Sequence, residues 1–282
     1  MPQTFSLDLV ALPTPTGDVT VMEKTEIPVT EIEMEKEPFA HGKFGKVHRA
    51  KWDKQNVVVK VIEAKTEEEK QAAKNETNLT LRLNHANVIK LFGITCVGHN
   101  IFGIVMEEAK LGSLDSWIGR IDQVKLTKIA LGIIDGLEYV HSQQVVHRDI
   151  KPKNILMFGA EDGMIPKIAD FGVSKVIETV MSQSTQGTEL YMAPEVRLHL
   201  RYGFAADIYS LAMTLLEMFS EMLINASEDL SRFVYAIYSG RGGKIPTSCK
   251  VPAYLRDVIE RGFNGPDQRP TLSKYRATLR GK

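Results

Sequence analysis

The sequence concentrates chemically useful side chains in a few short stretches. The first is Ala40-His41-Gly42-Lys43-Phe44-Gly45-Lys46-Val47. Glycines in a hairpin let the backbone come close to phosphates and make its amides available as donors. A plain glycine-containing hairpin would look the same, because short glycine patterns recur widely. Lys60 ends the apolar run Val57-Val58-Val59. On a strand beneath the hairpin its ammonium could pair with nucleotide phosphates, or it could simply lie at the surface end of that strand. Glu76, on a following helix, could hold the ammonium through an ion pair or be an ordinary solvated glutamate.

The next stretches are harder to attribute to chance. His147-Arg148-Asp149-Ile150-Lys151-Pro152-Lys153-Asn154 follows an apolar helical pattern and precedes Ile155-Leu156-Met157. Asp170-Phe171-Gly172 comes next, and then Gly187-Thr188-Glu189-Leu190-Tyr191-Met192-Ala193-Pro194-Glu195. In this ordered set the sequence resembles the eukaryotic protein kinases, over roughly residues 32 to 279. The resemblance implies an α+β, bilobal fold: a small β-rich N-lobe with one main helix and a larger, mainly α-helical C-lobe, enclosing ATP.

The resemblance also implies roles. Lys60 would contact the α- and β-phosphates, and Glu76 would fix Lys60. Asn154 and Asp170 would supply oxygen ligands to Mg²⁺, a hard cation suited to such donors. Asp149 would orient the substrate hydroxyl and accept its proton, while Lys151 would stabilise charge on the moving phosphoryl group. Phosphoryl transfer asks mainly for positioning and neutralisation of this kind. Ala40, Gly42 and Gly45 would lie over the phosphates. Val47 and Leu156 would sandwich the adenine beneath a roof that includes Val58, with Met106 at the gatekeeper position. The Glu107 carbonyl and Ala109 amide would meet the adenine edge, and Ser113 would lie near the ribose. Glu195 and Arg269 match the family's buried ion pair, and Asp207 would brace the catalytic loop.

Lys151 and the Gly187-Thr188 pair resemble the serine/threonine type. The lead-in Ile27 to Glu37, Lys51-Trp52 and Gly265 to Thr271 resemble the tyrosine-kinase-like group, which keeps dual specificity as an alternative. Protein substrates with serine or threonine acceptors are therefore the expected partners. Arg148 could bind a phosphate on Ser182, Ser184 or Thr185, added by an upstream kinase or by trans-autophosphorylation; an incidental polar loop is the other reading. Four departures stand out: Ala40 for the first glycine, Val58 for a roof alanine, Thr80 for an apolar residue behind the site, and Gly262-Phe263 for a common Cys-Trp pair. The first three motivate a competing expectation, a pseudokinase scaffold that binds nucleotide or partners without efficient transfer.

Certain elements must position these residues. From about Glu37 to Glu63, β-branched runs read as strands. Thr66 with Glu69 forms a capping box that opens a helix to Leu83. Val88 to Ile94 and Ile101 to Val105 read as two more strands. Leu126, Ile129, Ile133, Leu137 and Val140 recur at helical spacing, and Ile208 to Phe219 reads as a helix buried nearly all round. The expected organisation is a flexible extension over 1–30, in which Val19 to Val29 could add an edge strand, followed by a catalytic domain over 31–282. Within it the N-lobe runs to about 106, the hinge covers about 107–112, and the C-lobe follows.

Composition narrows the classes. Hydrophobic residues are 43% and charged residues 25% of the chain, which excludes a disordered polymer. Thirty-five basic side chains balance thirty-five acidic ones, so no basic surplus draws the chain to nucleic acid. Cys96 and Cys249 are the only cysteines, too few for a disulfide framework or structural zinc. The N-terminus lacks a secretory pattern, and Glu217 and Glu221 interrupt the most apolar stretch, so no membrane span and a cytoplasmic location are expected. The chain ends soon after the last expected helix, and no C-terminal regulatory domain is expected.

Overall fold

The computed structural model describes residues 26–42, 45–64, 66, 74, 77–78, 80–98, 100–161, 163–171, 190–198, 200 and 202–281. The β-rich part is one antiparallel sheet. It contains β1 (Glu33–Met34), β2 (Ala40–Gly42), β3 (Gly45–Trp52), β4 (Gln55–Glu63), β5 (Leu91–Gly98) and β6 (Ile101–Glu107). Their order is β1-β3-β4-β6-β5, with β2 also pairing β3. The central position of β4 explains its continuous apolar run: Val57, Val58 and Val59 are all buried. Asp53 and Lys54 turn β3 into β4 with φ of 47° and 60°, the left-handed pair that a two-residue hairpin needs.

The glycine hairpin forms as expected, with Ala40 opposite Val47 and Gly42 opposite Gly45. Gly45 has φ +150°, and a Cβ there would lie 2.0 Å from the Val61 carbonyl oxygen. Its side chain is excluded by close packing on β4. Of the extension expected over 1–30, residues 1–25 lie outside the described residues. Ile27 is buried, and its amide donates to the Ile94 carbonyl at 2.8 Å, so the segment from Glu26 onward is packed against β5.

Two boundaries differ from expectation. The strand expected at Val88 to Ile94 begins at Leu91 and runs to Gly98. Asn87 and Ile89 are instead bonded across to the other lobe: the Ile89 amide donates to the Ile168 carbonyl at 2.8 Å, and the Ile168 amide to the Asn87 carbonyl at 2.9 Å. Of the helix expected from Thr66, the described helical residues are Lys74, Thr77, Asn78, Thr80 and Leu81, while Thr66 lies in a bend and Glu69 is not described.

The second lobe is helical, with a β7 (Ile155–Phe158)–β8 (Ile165–Ile168) hairpin facing the sheet. Helix α1 (Gln123–Ser142) opens on Asp122, whose carboxylate accepts from the Val124 and Lys125 amides at 3.0 and 2.9 Å. Its buried stripe is the one the spacing gives: Leu126, Ile129, Ile133, Leu137 and Val140. A short α2 (Pro194–Arg197) precedes α3 (Phe204–Ser220). Every residue of α3 from Ala206 to Ser220 is buried, which makes it the axis of the lobe. Each large apolar side chain so buried contributes about 1.5–3 kcal/mol. Helices α4 (Glu228–Tyr238), α5 (Ala253–Arg261) and α6 (Leu272–Leu279) pack around it. Among the described residues, no helix is long and apolar enough to cross a membrane.

Candidate active site

A cleft of about 1150 Å³ opens between the sheet and the helical lobe. Ala40, Val47, Val58 and Lys60 line it from the sheet, and Met106, Glu107 and Ala109 from the connection between lobes. Ser113, Asn154, Leu156 and Asp170 line it from below. Thr80 and Phe171 are both buried and line the same cleft. Gly42 and Gly45 face each other at the hairpin above. Asp149 and Lys151 sit beside the floor, linked to it through Asn154.

The loop carrying Asp149 is held by buried polar groups. Asp207, fully buried at the start of α3, accepts from the His147 amide at 2.8 Å and the Arg148 amide at 2.7 Å. The His141 ring nitrogen Nε2 lies 2.8 Å from the same carboxylate. His147 is buried and receives the Asp149 amide on Nδ1 at 3.2 Å, while its Nε2 meets the Ala169 carbonyl at 3.0 Å. A neutral ring protonated on Nε2 satisfies both contacts. Phe171 packs edge-on against this ring at 4.7 Å. The loop before Asp149 and the turn before Phe171 are thereby joined. Arg148 and Asp170 have φ of 72° and 67°, a left-handed backbone that non-glycine residues adopt only where their surroundings impose it.

The carboxylate of Asp149 accepts from Lys151 Nζ at 2.8 Å and from Asn154 Nδ2 at 2.8 Å. Asn154 Nδ2 also donates to the Asp149 carbonyl at 2.8 Å. With both amide hydrogens committed, the side-chain oxygen is the atom Asn154 has to offer. Across the cleft, Lys60 Nζ pairs with the Asp170 carboxylate. That contact explains how an ammonium only 10% exposed is tolerated. Glu76, the partner expected for Lys60, lies outside the described residues, as do Gly172, Ser182, Ser184, Thr185 and Thr188. A carboxylate and an amide oxygen at one end of the cleft form a donor set suited to a hard divalent cation.

The structural pairs meet as the sequence suggests. Arg269 donates to both oxygens of Glu195, at 2.5 and 2.9 Å, and to the Ala205 carbonyl at 2.8 Å. Burial pushes the Glu195 carboxyl up, but the Arg269 hydrogen bond and charge outweigh it and hold the group below its ordinary value.

Other contacts were not foreseen. The Glu107 side chain accepts from Lys167 Nζ at 2.7 Å and from the Lys90 amide at 2.7 Å, tying the hinge to both lobes from behind. The Tyr191 hydroxyl donates to Glu217, whose other oxygen accepts from the Ile224 amide at 2.8 Å. Glu107 ends an apolar run in the sequence, and Glu217 interrupts one. That is a usable signal for a buried role but not for a partner.

A family model described as the protein kinase domain matches residues 35–275. A probable serine/threonine-protein kinase of Dictyostelium discoideum is 31% identical over 88% of this chain and 61% of its own length. Mitogen-activated protein kinase kinase kinase 7 of Homo sapiens is 31% identical over 90% of this chain and 42% of its own length. The serine/threonine-protein kinase pakF of Dictyostelium discoideum is 36% identical over 57% of this chain and 14% of its own length. The chain thus spans less than two thirds of each of these relatives. A match over residues 35–275 takes in both lobes and the cleft between them, and the chain belongs to the protein kinase domain family.

Proposed function

We propose that this chain is an ATP- and Mg²⁺-dependent protein kinase acting on serine or threonine hydroxyls. The observation that carries the reading is that Lys60, Asp170 and Asn154 line one cleft, Lys60 paired with Asp170 and Asn154 hydrogen-bonded to Asp149, which Lys151 also contacts. Two of these relatives are named serine/threonine-protein kinases, which supports serine/threonine acceptors over tyrosine.

In this reading the apolar part of the cleft, Val47, Val58, Met106 and Leu156, receives the adenine. The backbone of Glu107 to Ala109 offers hydrogen bonds to its edge, and Ser113 lies toward the ribose. The hairpin of Ala40, Gly42 and Gly45 covers the phosphates, and Lys60 holds them, with Glu76 assigned to Lys60 by resemblance. Asp170 and the side-chain oxygen of Asn154 would hold Mg²⁺, which when bound neutralises phosphate charge. Asp149 orients the acceptor hydroxyl. As the hydroxyl oxygen bonds to the γ-phosphorus, its proton passes to the Asp149 carboxylate and the β–γ bridging oxygen leaves with ADP. Lys151 stabilises the charge that develops on the moving group.

The test uses two independent lesions, Asp149→Asn and Lys60→Met, in a radiolabelled-ATP transfer assay. Each should reduce transfer by at least about a hundredfold while the folded state persists. Activity equal to wild type in both variants would trace the signal to a contaminating enzyme. The scaffold reading predicts binding of Mg²⁺-ATP without transfer in the wild-type chain. It is disfavoured because Lys60, Asp149, Asn154 and Asp170 are all present.

A further inference from the structure

We propose that Arg49 is a positioning residue for the nucleotide, latching the start of the glycine hairpin to the hinge at the outer mouth of the cleft. The inference rests on the kinase reading above. Arg49 lies on β3 opposite Val58, and its carbonyl accepts from the Glu35 amide at 2.9 Å, so its backbone is fixed. Its side chain reaches over the mouth, where Nε donates to Glu108 Oε1 at 3.2 Å. The guanidinium carbon lies 4.4 Å from the centre of the Phe39 ring. Phe39 immediately precedes β2, and its amide donates to the Val47 carbonyl at 3.0 Å. Phe39, Arg49 and Glu108 all line the cleft.

An exposed ion pair alone does little. Here the planar guanidinium uses its edge on a carboxylate and its face on an aromatic ring, a combination a lysine cannot reproduce. The Arg49 side chain is 51% exposed and that of Glu108 17%, so the carboxylate is the sheltered partner and the arginine the solvent-facing one. A nucleotide leaving the cleft has to separate Phe39 from the hinge, and Arg49 resists that separation. None of the three side chains contacts Lys60, Asp149, Asn154 or Asp170 in the hydrogen bonds described. The latch therefore acts on residence of the nucleotide and leaves the chemical step alone.

The experiment is steady-state kinetics with Mg²⁺-ATP and stopped-flow release of a fluorescent ADP analogue, using the whole chain. Arg49→Ala should raise both the KM for ATP and the release rate by about three- to tenfold, with kcat at saturating ATP and the unfolding midpoint unchanged. Arg49→Lys should fall between, and adding Phe39→Leu to Arg49→Ala should raise KM less than the sum of the two separate effects. An unchanged KM and release rate in Arg49→Ala, or full additivity with Phe39→Leu, overturns the latch while leaving the kinase reading standing. A wild-type chain that binds no Mg²⁺-ATP overturns both.

Discussion

Thr95 shows how much a single atom can decide. Its hydroxyl is buried on β5 and has no hydrogen-bond partner among the described residues. A buried donor left unmade costs more than its apolar replacement. Thr95→Val keeps the branched shape and should stabilise the chain by about 1 kcal/mol, read as a higher urea midpoint. A lower midpoint would mean the hydroxyl is satisfied in solution. Glu217 gives a signed pH prediction. Burial pushes its carboxyl above the ordinary value of 4.5, against the lowering effect of the Tyr191 hydroxyl and the Ile224 amide. The folded chain therefore retains a proton that the unfolded chain has released, and stability falls as pH rises through that window from 4.5 upward. Glu217→Gln does not titrate, so it should gain on wild type as pH is raised from 4.5. A difference independent of pH would show that Glu217 does not carry this linkage. The sequence exposed Asp149, Lys151 and Asn154 as candidates, and the structure brings them together, because such a cluster depends on residue type and short spacing. It could not expose Arg49 with Glu108, or Lys167 with Glu107, because those pairs exist only once distant strands are stacked.

Among elements, the junction of α3, α5 and α6 accounts for the departure at Gly262. A Cβ on Gly262 would lie 2.3 Å from the Tyr275 hydroxyl and 2.4 Å from the Ala212 Cβ. The room a larger side chain would need is already taken by Tyr275, whose buried hydroxyl has no partner among the described residues. Gly262→Ala should destabilise by about 1–3 kcal/mol through overpacking. Tyr275→Phe removes the obstructing oxygen, so the double variant should be more stable than the sum of the two single effects predicts. Strict additivity would place the strain on Ala212 instead. Arg276 secures the same helix from outside, donating to Asp135 at 2.6 Å and Glu138 at 2.7 Å on α1. Helices α1 and α3 were legible because their apolar spacing is long and regular. The start of β5 was not, since Val88 and Ile89 are as apolar as a strand, but the Val88 amide turns back to the His85 carbonyl and the Ile89 amide goes to β8. Apolar content marks burial; it does not say which neighbour receives the hydrogen bonds.

The whole molecule is two lobes joined by a short connection and by polar ties placed around one cleft. Glu107 with Lys167 closes the rear, Lys60 with Asp170 spans the interior, and Arg49 with Glu108 crosses the mouth. A ligand that touches the sheet above and the Asn154–Asp170 floor below should therefore stabilise both lobes together rather than one. Binding at a hundredfold excess over Kd adds about 2.7 kcal/mol, which for a chain of this size raises the unfolding midpoint by about 5 °C. Mg²⁺-ATP should produce such a shift in a differential scanning measurement, and ATP with a chelator a smaller one. The size of that gap reports the metal, because Asp170 and Asn154 have little else to offer the phosphates than coordination through a cation. Asp170→Asn should close the gap, leaving nearly equal shifts with and without Mg²⁺, while Lys60→Met should lower both. If Asp170→Asn retained the full Mg²⁺-dependent increment, the cation would have to be held elsewhere, and the pairing of Lys60 with Asp170 would be a brace between lobes instead of one edge of a phosphate site.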